Sequence, residues 1–343
     1  MRSLTMKKGS LIPRALRELE VDLPFNVDEV RARYDHERDI RLKRRPEGHG
    51  QYLSLPELAK GDARFAAMLR DRWTPVIPRP PLSDTVHVLV IGAGYGGLLA
   101  GARLVQQGVD PKSIRLLDAA GDVGGTWYFN RYPGAMCDIE SYTYMPMLEE
   151  LAYIPSEKYC HQPELLLHSQ MIAEKYGLYQ NACFHTTCTG LEWKESRKVW
   201  SVSTDRGDQF YARFVIMNFG TLTQPKLPGA SGVEKFRGHM FHTSRWDYEY
   251  TGGDTTGGLI NLHGKRVAIV GTGATAIQVV PHLGAHAKHL TCFSVPQAVW
   301  MSATIVKRHQ TLLLPIYKSL VGKRNGWITL PSLPKQMFLA SAI

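Results

Sequence analysis

Two glycine-rich turns, each directly after a short apolar run, constrain this chain more than any other feature in it. The first is Val88-Leu89-Val90-Ile91-Gly92-Ala93-Gly94-Tyr95-Gly96-Gly97, and the second is Val267-Ala268-Ile269-Val270-Gly271-Thr272-Gly273-Ala274-Thr275-Ala276. Gly92 permits a tight turn after a strand. Gly94 lets the backbone approach a pyrophosphate, and Gly97 lets the following helix pack closely while its N-terminus faces negative charge. Gly271, Gly273 and Ala276 repeat the arrangement, with Ala slightly bulkier than Gly at the last position. Asp118 closes the next apolar run, Ile114 to Leu117, where a carboxylate can accept hydrogen bonds from ribose hydroxyls. The chain therefore reads as α/β, with two Rossmann-like dinucleotide-binding domains.

The remaining pattern sets the boundaries. Residues 1–84 read as an N-terminal extension, with a charged helix over Val27 to Arg45 that Pro46 and Gly48 end, then a linker holding Pro75, Pro78, Pro80 and Pro81. His36 and Asp39 lie one turn apart, but a solvated face of mixed ion pairs explains them better than a metal. Residues 85–225 read as the first nucleotide domain. It holds a strand from Val86, a helix from Tyr95 to Gln107, a helix from Pro163 to Leu178, hairpin strands around Trp193 and Val199 to Val202, and a buried strand from Phe214 to Met217. Residues 226–300 read as a partial second domain, with a flexible Gly/Thr loop at Gly252 to Gly258, a strand at Arg266, a helix from Ala274 to Leu283 and a strand from Leu290 to Phe293. Residues 301–343 read as the start of a helical region.

Composition excludes several classes. A hydrophobic fraction of 44% and a charged fraction of 21% are those of a globular protein. The net charge of +10 suits anionic ligands such as a pyrophosphate, and no nucleic-acid module accompanies it. Five cysteines, an odd and sparse count for the length, argue against a secreted disulfide scaffold. No run approaches the roughly 18 apolar residues of a membrane span, and no secretory signal is visible, so a cytoplasmic protein is expected.

Beyond Asp118 the chain continues Gly124-Gly125-Thr126-Trp127-Tyr128-Phe129-Asn130-Arg131-Tyr132-Pro133-Gly134-Ala135-Met136-Cys137-Asp138. Further on comes Phe236-Arg237-Gly238-His239-Met240-Phe241-His242-Thr243-Ser244-Arg245-Trp246-Asp247. Gly125, Trp127, Tyr132, Pro133, Gly134 and Asp138 match every fixed position of the long fingerprint of Baeyer–Villiger monooxygenases. The second segment resembles that family's F-x-G-x-x-x-H-x-x-x-W pattern. The resemblance covers about Tyr34 to Val299, and the run Arg33 to Asp39 looks most like extended fungal members of terpenoid and meroterpenoid secondary metabolism.

The resemblance implies an enzyme that uses FAD, NAD(P)H and O2 to oxygenate a small-molecule ketone to an ester or lactone. It implies that Gly92, Gly94, Gly97, Asp118, Gly125, Thr126, Trp127, Tyr128, Phe129, Met136, Cys137, Tyr144 and Cys188 bind FAD, with Cys188 offering its backbone to the adenine. It places Asp138 near the flavin ring as a catalytic acid residue that orients an arginine supplied from later in the chain. His242 is then structural rather than a general base. Gly271, Thr272, Gly273, Ala274, Thr275, Ala276 and Ile277 would bind the nicotinamide cofactor. NADPH is expected and NADH stays open, because Ser294 and Val295 stand where an Arg-Thr pair usually holds the 2′-phosphate. Disulfide reductases share the two turns, but Trp127 occupies the first position of their redox pair, and Cys183 and Cys188 read as structural thiols at the start of one strand. Flavin-dependent amine and sulfur oxygenases lack the fingerprint around Trp127. Ending at Ile343, the sequence also leaves a truncated, inactive FAD-binding remnant or a mispredicted gene product as the alternative reading.

Overall fold

The computed structural model describes residues 26–43, 52–220, 222, 224–230, 232–293, 302–305 and 338–340. It divides into two units, with the boundary after Gln51. In the first unit, helix α1 (Val27–Lys43) starts where the Asn26 side chain accepts the backbone N–H of Asp28 at 2.9 Å. Asp28 and Glu29 in its first turn complement the helix dipole. Arg38 reaches Asp35 at 2.8 Å and Asp39 at 3.1 Å on an exposed face, the solvated ion-pair surface that the charge pattern predicts.

The second unit begins with strand β1 (Tyr52–Ser54), helix α2 (Leu55–Ala59) and helix α3 (Ala63–Ala67). This stretch is no free appendage. β1 pairs antiparallel with β8 (Lys226–Pro228), and Leu55, Phe65 and Met68 are buried against Leu227, Val233 and Met240. Arg64 donates to the carbonyls of Phe236 and Glu234. The compact unit thus starts about thirty residues before the point that the proline-rich linker suggests.

The first nucleotide fold is a six-stranded sheet. Its core is β2 (Ser83–Ile91), parallel to β3 (Ile114–Leu117) on one side and to β7 (Gln209–Met217) on the other. β4 (Ala182–Cys183) extends the parallel edge, and β5 (Cys188–Lys194), β6 (Val199–Thr204) and β7 form an antiparallel meander. Helix α4 (Tyr95–Gln106) buries Leu98 and Ala102 on Val88, Val90, Ile114 and Leu116, and helix α5 (Gln162–Lys175) adds Ile172 and Ala173. Each large apolar side chain so buried stabilises the fold by roughly 1.5–3 kcal/mol. The opposite face packs Val86, Leu89 and Leu117 on Val202 and Phe210.

The second fold is built on β10 (Arg266–Val270), parallel to β11 (His289–Phe293), with α6 (Ala274–His286) between them. By backbone register, β9 (Met240–His242), β12 (Ser302–Ile305) and β13 (Phe338–Ala340) complete the order β12-β11-β10-β13-β9 among the described residues. Its core joins Phe241, Trp246, Ile269, Val279, Leu283 and Leu290.

Four local expectations change. The helix read as Pro163 to Leu178 ends at Lys175, because Gly177 turns left-handed (φ +64) and a 3-10 turn follows at Leu178–Asn181. The end of β7 is not buried: Phe214 is 51% and Met217 60% exposed, because β6 pairs with β7 only as far as Ala212. Gly252 to Gly258 is a closed hairpin rather than a loose loop, since Asp254 and Gly257 bridge and a Cβ on Gly253 would lie 2.0 Å from the Gly257 carbonyl oxygen. Cys183 and Cys188 fall on two different strands, β4 and β5. Ser294, Val295 and most of residues 301–343 lie outside the described residues.

Candidate functional site: a dinucleotide cavity

A cavity of about 1110 Å³ opens at the C-terminal ends of β2, β3 and β7. This is above the ~300–1,000 Å³ of sites for drug-sized ligands, and it lies where parallel sheets place their ligands. Gly92 takes φ +100, and a Cβ there would stand 2.5 Å from the Asn218 carbonyl oxygen. A Cβ on Gly97 would lie 1.8 Å from the Gly92 carbonyl oxygen, so the helix can start only on glycine at that position. Gly94 approaches Gly125 from the next loop, whose added Cβ would meet the Gly94 Cα at 2.9 Å. The two loops thus form a side-chain-free groove at the N-terminus of α4, a cradle for phosphate.

Asp118 anchors one wall. Its carboxylate accepts the N–H of Ala93 at 2.6 Å and of Ala120 at 2.8 Å. Burial raises its pKa against these two bonds. Each oxygen keeps a further lone pair for a ligand. The far wall is aromatic. The Trp127 indole donates to the Tyr144 hydroxyl at 3.0 Å, with the rings edge-to-face at 5.8 Å, and Tyr95 backs Tyr144 at 5.7 Å. Gln162, itself buried, donates to the Trp127 carbonyl at 2.6 Å and holds that one-turn helix in place.

Of the residues that the sequence singles out for the first cofactor, Gly92, Gly94, Asp118, Gly125, Thr126, Trp127, Phe129, Tyr144 and Cys188 line this cavity. Gly97 serves it from behind, through helix packing. Tyr128 turns away: its hydroxyl donates to Asp71 and accepts from the Thr74 hydroxyl at 2.7 Å. Met136, Cys137 and Asp138 do not line the cavity. Cys137 is buried beside Ser141, and Asp138 is exposed. His242 is fully enclosed, with Nδ1 beside the Ser244 hydroxyl at 2.8 Å; burial pushes its pKa down to about 3, which keeps it neutral and structural.

Sequence reading missed several lining residues. Leu69, Arg70, Asp71 and Val76 arrive from the proline-rich arm, and Asn218 and Phe219 from the end of β7. Arg245, in the second fingerprint, also lines the cavity. Its guanidinium lies 3.8 Å from the Phe129 ring centroid, and burial lowers its pKa to about 10, so it is a cation at neutral pH. A cation therefore reaches the cavity from within this chain. The only forward signal was its position one residue before Trp246.

The second turn stands apart from the cavity. Gly271 adopts φ +116 and donates its N–H to Phe293 at 2.8 Å; Gly273 caps α6, and Ala276 is buried under the helix. Thr272, Ala274 and Ile277 are exposed, and Gly273 and Thr275 are half-buried. The helix N-terminus is open to an anionic ligand.

Comparison with known proteins agrees with this geometry. Residues 90–152 match an NAD(P)-binding Rossmann-like domain. Pentalenolactone D synthase of Streptomyces arenae is 52% identical over 80% of the chain and 45% of its own length. A Baeyer-Villiger monooxygenase of Stachybotrys chlorohalonatus, ATR8, is 45% identical over 82% of the chain and 44% of its own. The polycyclic ketone monooxygenase of Thermothelomyces thermophila superposes with a TM-score of 0.70 at 40% identity, covering 88% of this chain and 49% of that one. The chain belongs to the Baeyer–Villiger monooxygenase family. It spans about half the length of the curated relatives it matches. A Baeyer-Villiger monooxygenase of the bacterium Streptomyces coelicolor is also 48% identical, over 77% of this chain and 42% of its own length, so the likeness is not confined to fungal members. A further structure, OTEMO complexed with FAD and NADP, superposes with a TM-score of 0.54 at 33% identity, covering 61% of this chain and 38% of its own.

Proposed function

We propose that this chain binds FAD in the cavity and NADPH at the second turn, as part of an enzyme that oxygenates a ketone to an ester or lactone with O2. The observation that carries the reading is the groove between Gly94 and Gly125, closed by Asp118 at one end and by Trp127 and Tyr144 at the other. It has a place for phosphate, for ribose and for a flat ring system. FAD, when bound, supplies the two-electron and oxygen chemistry. The chain's own share is to orient and to stabilise. Asp118 and the α4 N-terminus fix the nucleotide, Trp127 and Tyr144 bound the ring, and Arg245 offers positive charge to a developing anion. Asp138 lies outside the cavity, and by its motif position it orients an arginine supplied from beyond the second turn. Terpenoid or meroterpenoid ketones are the substrate class favoured by the fingerprint resemblance. Five free thiols suit a reducing compartment, so we place the protein in the cytoplasm. Among the described residues no helix is long and apolar enough to cross a membrane.

The test is to purify the 343-residue chain and measure retained flavin, then NADPH and NADH oxidation with and without a polycyclic ketone. Stoichiometric FAD, with faster oxidation of NADPH than of NADH and formation of ester, is the expected result. A colourless protein that does not take up FAD would sink the reading.

A further inference from the structure

The loop between the flavin-side aromatic turn and Asp138 is held by the other nucleotide fold. Tyr132 belongs by sequence to the first fingerprint, yet its ring is buried in the core of the second fold, with Val279 and Leu283. Its hydroxyl donates to Gln278 Oε1 at 2.8 Å, and the Thr275 side chain hydrogen-bonds the Tyr132 hydroxyl oxygen. Gln278 Oε1 also accepts the Met136 N–H at 3.3 Å, while its Nε2 donates to the Met136 carbonyl at 2.9 Å. Most of one amide's bonding capacity is thereby spent on a single loop. Gly134 makes the approach possible. It takes φ +77, donates to the Thr255 carbonyl at 2.9 Å, and a Cβ there would lie 2.9 Å from the Gln278 carbonyl oxygen. The same loop is tied back to the flavin side. Gln162 donates its backbone N–H to Ala135 and its side chain to Trp127, and Cys137 N–H donates to Cys160. Gln278 itself lies one helical turn beyond Ala274 of the second glycine turn.

We propose that Gln278, through Tyr132 and Met136, is a positioning residue that sets the distance and angle between the two nucleotide turns. This rests on the reading that FAD and NADPH occupy them. In that reading a hydride, with its electron pair, passes from NADPH to the flavin, leaving NADP+ and two-electron-reduced flavin. Such transfer needs the reacting atoms ~3–3.5 Å apart, and a misplacement of ~1 Å costs ~10²-fold in rate. The clasp couples the two folds through this loop.

The experiment uses the FAD-loaded chain and two variants, Gln278→Leu and Tyr132→Phe. The second keeps the ring's packing and loses only its hydroxyl, so it carries the test if the first does not fold. Three readouts apply: flavin retained after gel filtration, amide hydrogen exchange at Met136, and anaerobic flavin reduction by saturating NADPH against reduction by dithionite. Retained flavin and dithionite reduction should match the wild type, Met136 should exchange faster, and reduction by NADPH should slow by ~10–100-fold. Reduction by NADPH within about two-fold of wild type in both variants overturns the proposal, as does parallel loss of FAD, which marks the clasp as merely structural. A wild-type chain that takes up no FAD, or whose flavin NADPH does not reduce, refutes the underlying reading before any variant is made.

Discussion

Gly97 and His242 show how much single side-chain positions decide here. An alanine at Gly97 would bring its Cβ to 1.8 Å from the Gly92 backbone, a clash that only movement of α4 or the turn relieves. Gly97→Ala is expected to destabilise the chain by about 1–3 kcal/mol and to abolish flavin retention, measured by urea denaturation and by bound absorbance. For His242 the sign follows from its depressed pKa of about 3. The unfolded state, with a pKa near 6.5, binds the proton first, so the stability present above about pH 6.5 is lost progressively as pH falls toward 3. His242→Gln, which cannot titrate, should flatten the pH dependence of the unfolding free energy in that window. An unchanged slope would show that His242 already picks up its proton in the folded state.

At the scale of elements, the arm from Leu69 to Val76 is the piece that turns an open Rossmann crevice into a walled cavity. Its anchor is Asp71. Burial works against this carboxylate, but hydrogen bonds from Tyr128, the Trp73 N–H and His185 outweigh it and hold its pKa below the usual range. His185 reaches it at 2.8 Å. Arg131 lies 4.9 Å from both the Trp73 and the Tyr128 ring centroids, which clamps the arm further. Asp71→Ala should destabilise the chain by about 1–3 kcal/mol and weaken FAD retention, because it leaves buried donors unpaired. Lower down the arm, Arg79 pairs with the enclosed Asp208 through both carboxylate oxygens, at 2.5 and 2.7 Å. Arg79 holds the Asp208 pKa far below the usual carboxylate range. Asp208→Ala removes both carboxylate contacts of Arg79 and leaves the Leu82 N–H and the Thr204 hydroxyl without this acceptor, and about 1–3 kcal/mol should be lost in chemical denaturation.

Across the whole molecule, apolar side chains gather at the cavity. Val76, Met217, Phe219 and Leu222 line it and are each more than half exposed. A bound ligand covers them and closes the groove between Gly94 and Gly125. FAD at about 100 times its dissociation constant should therefore stabilise the fold by ~2.7 kcal/mol, read as an upward shift of the thermal midpoint. No shift at saturating FAD would mean that the cavity does not hold the flavin.

The sequence by itself determined what is local in the chain. The two turns, the strands before them and the helices after them follow from glycine spacing and apolar runs, because turn geometry and helix starts depend on neighbours a few residues away. The fingerprint named the family for the same reason: Gly125, Trp127, Gly134 and Asp138 are close in sequence. Tertiary structure alone decided that Asp71 and Arg245 face the cavity, that Tyr128 faces away from it, and that Gln278 grips Tyr132. These contacts join residues as much as 146 positions apart. No short-range periodicity records them, since burial and hydrogen bonding are settled only when the sheets bring distant segments together.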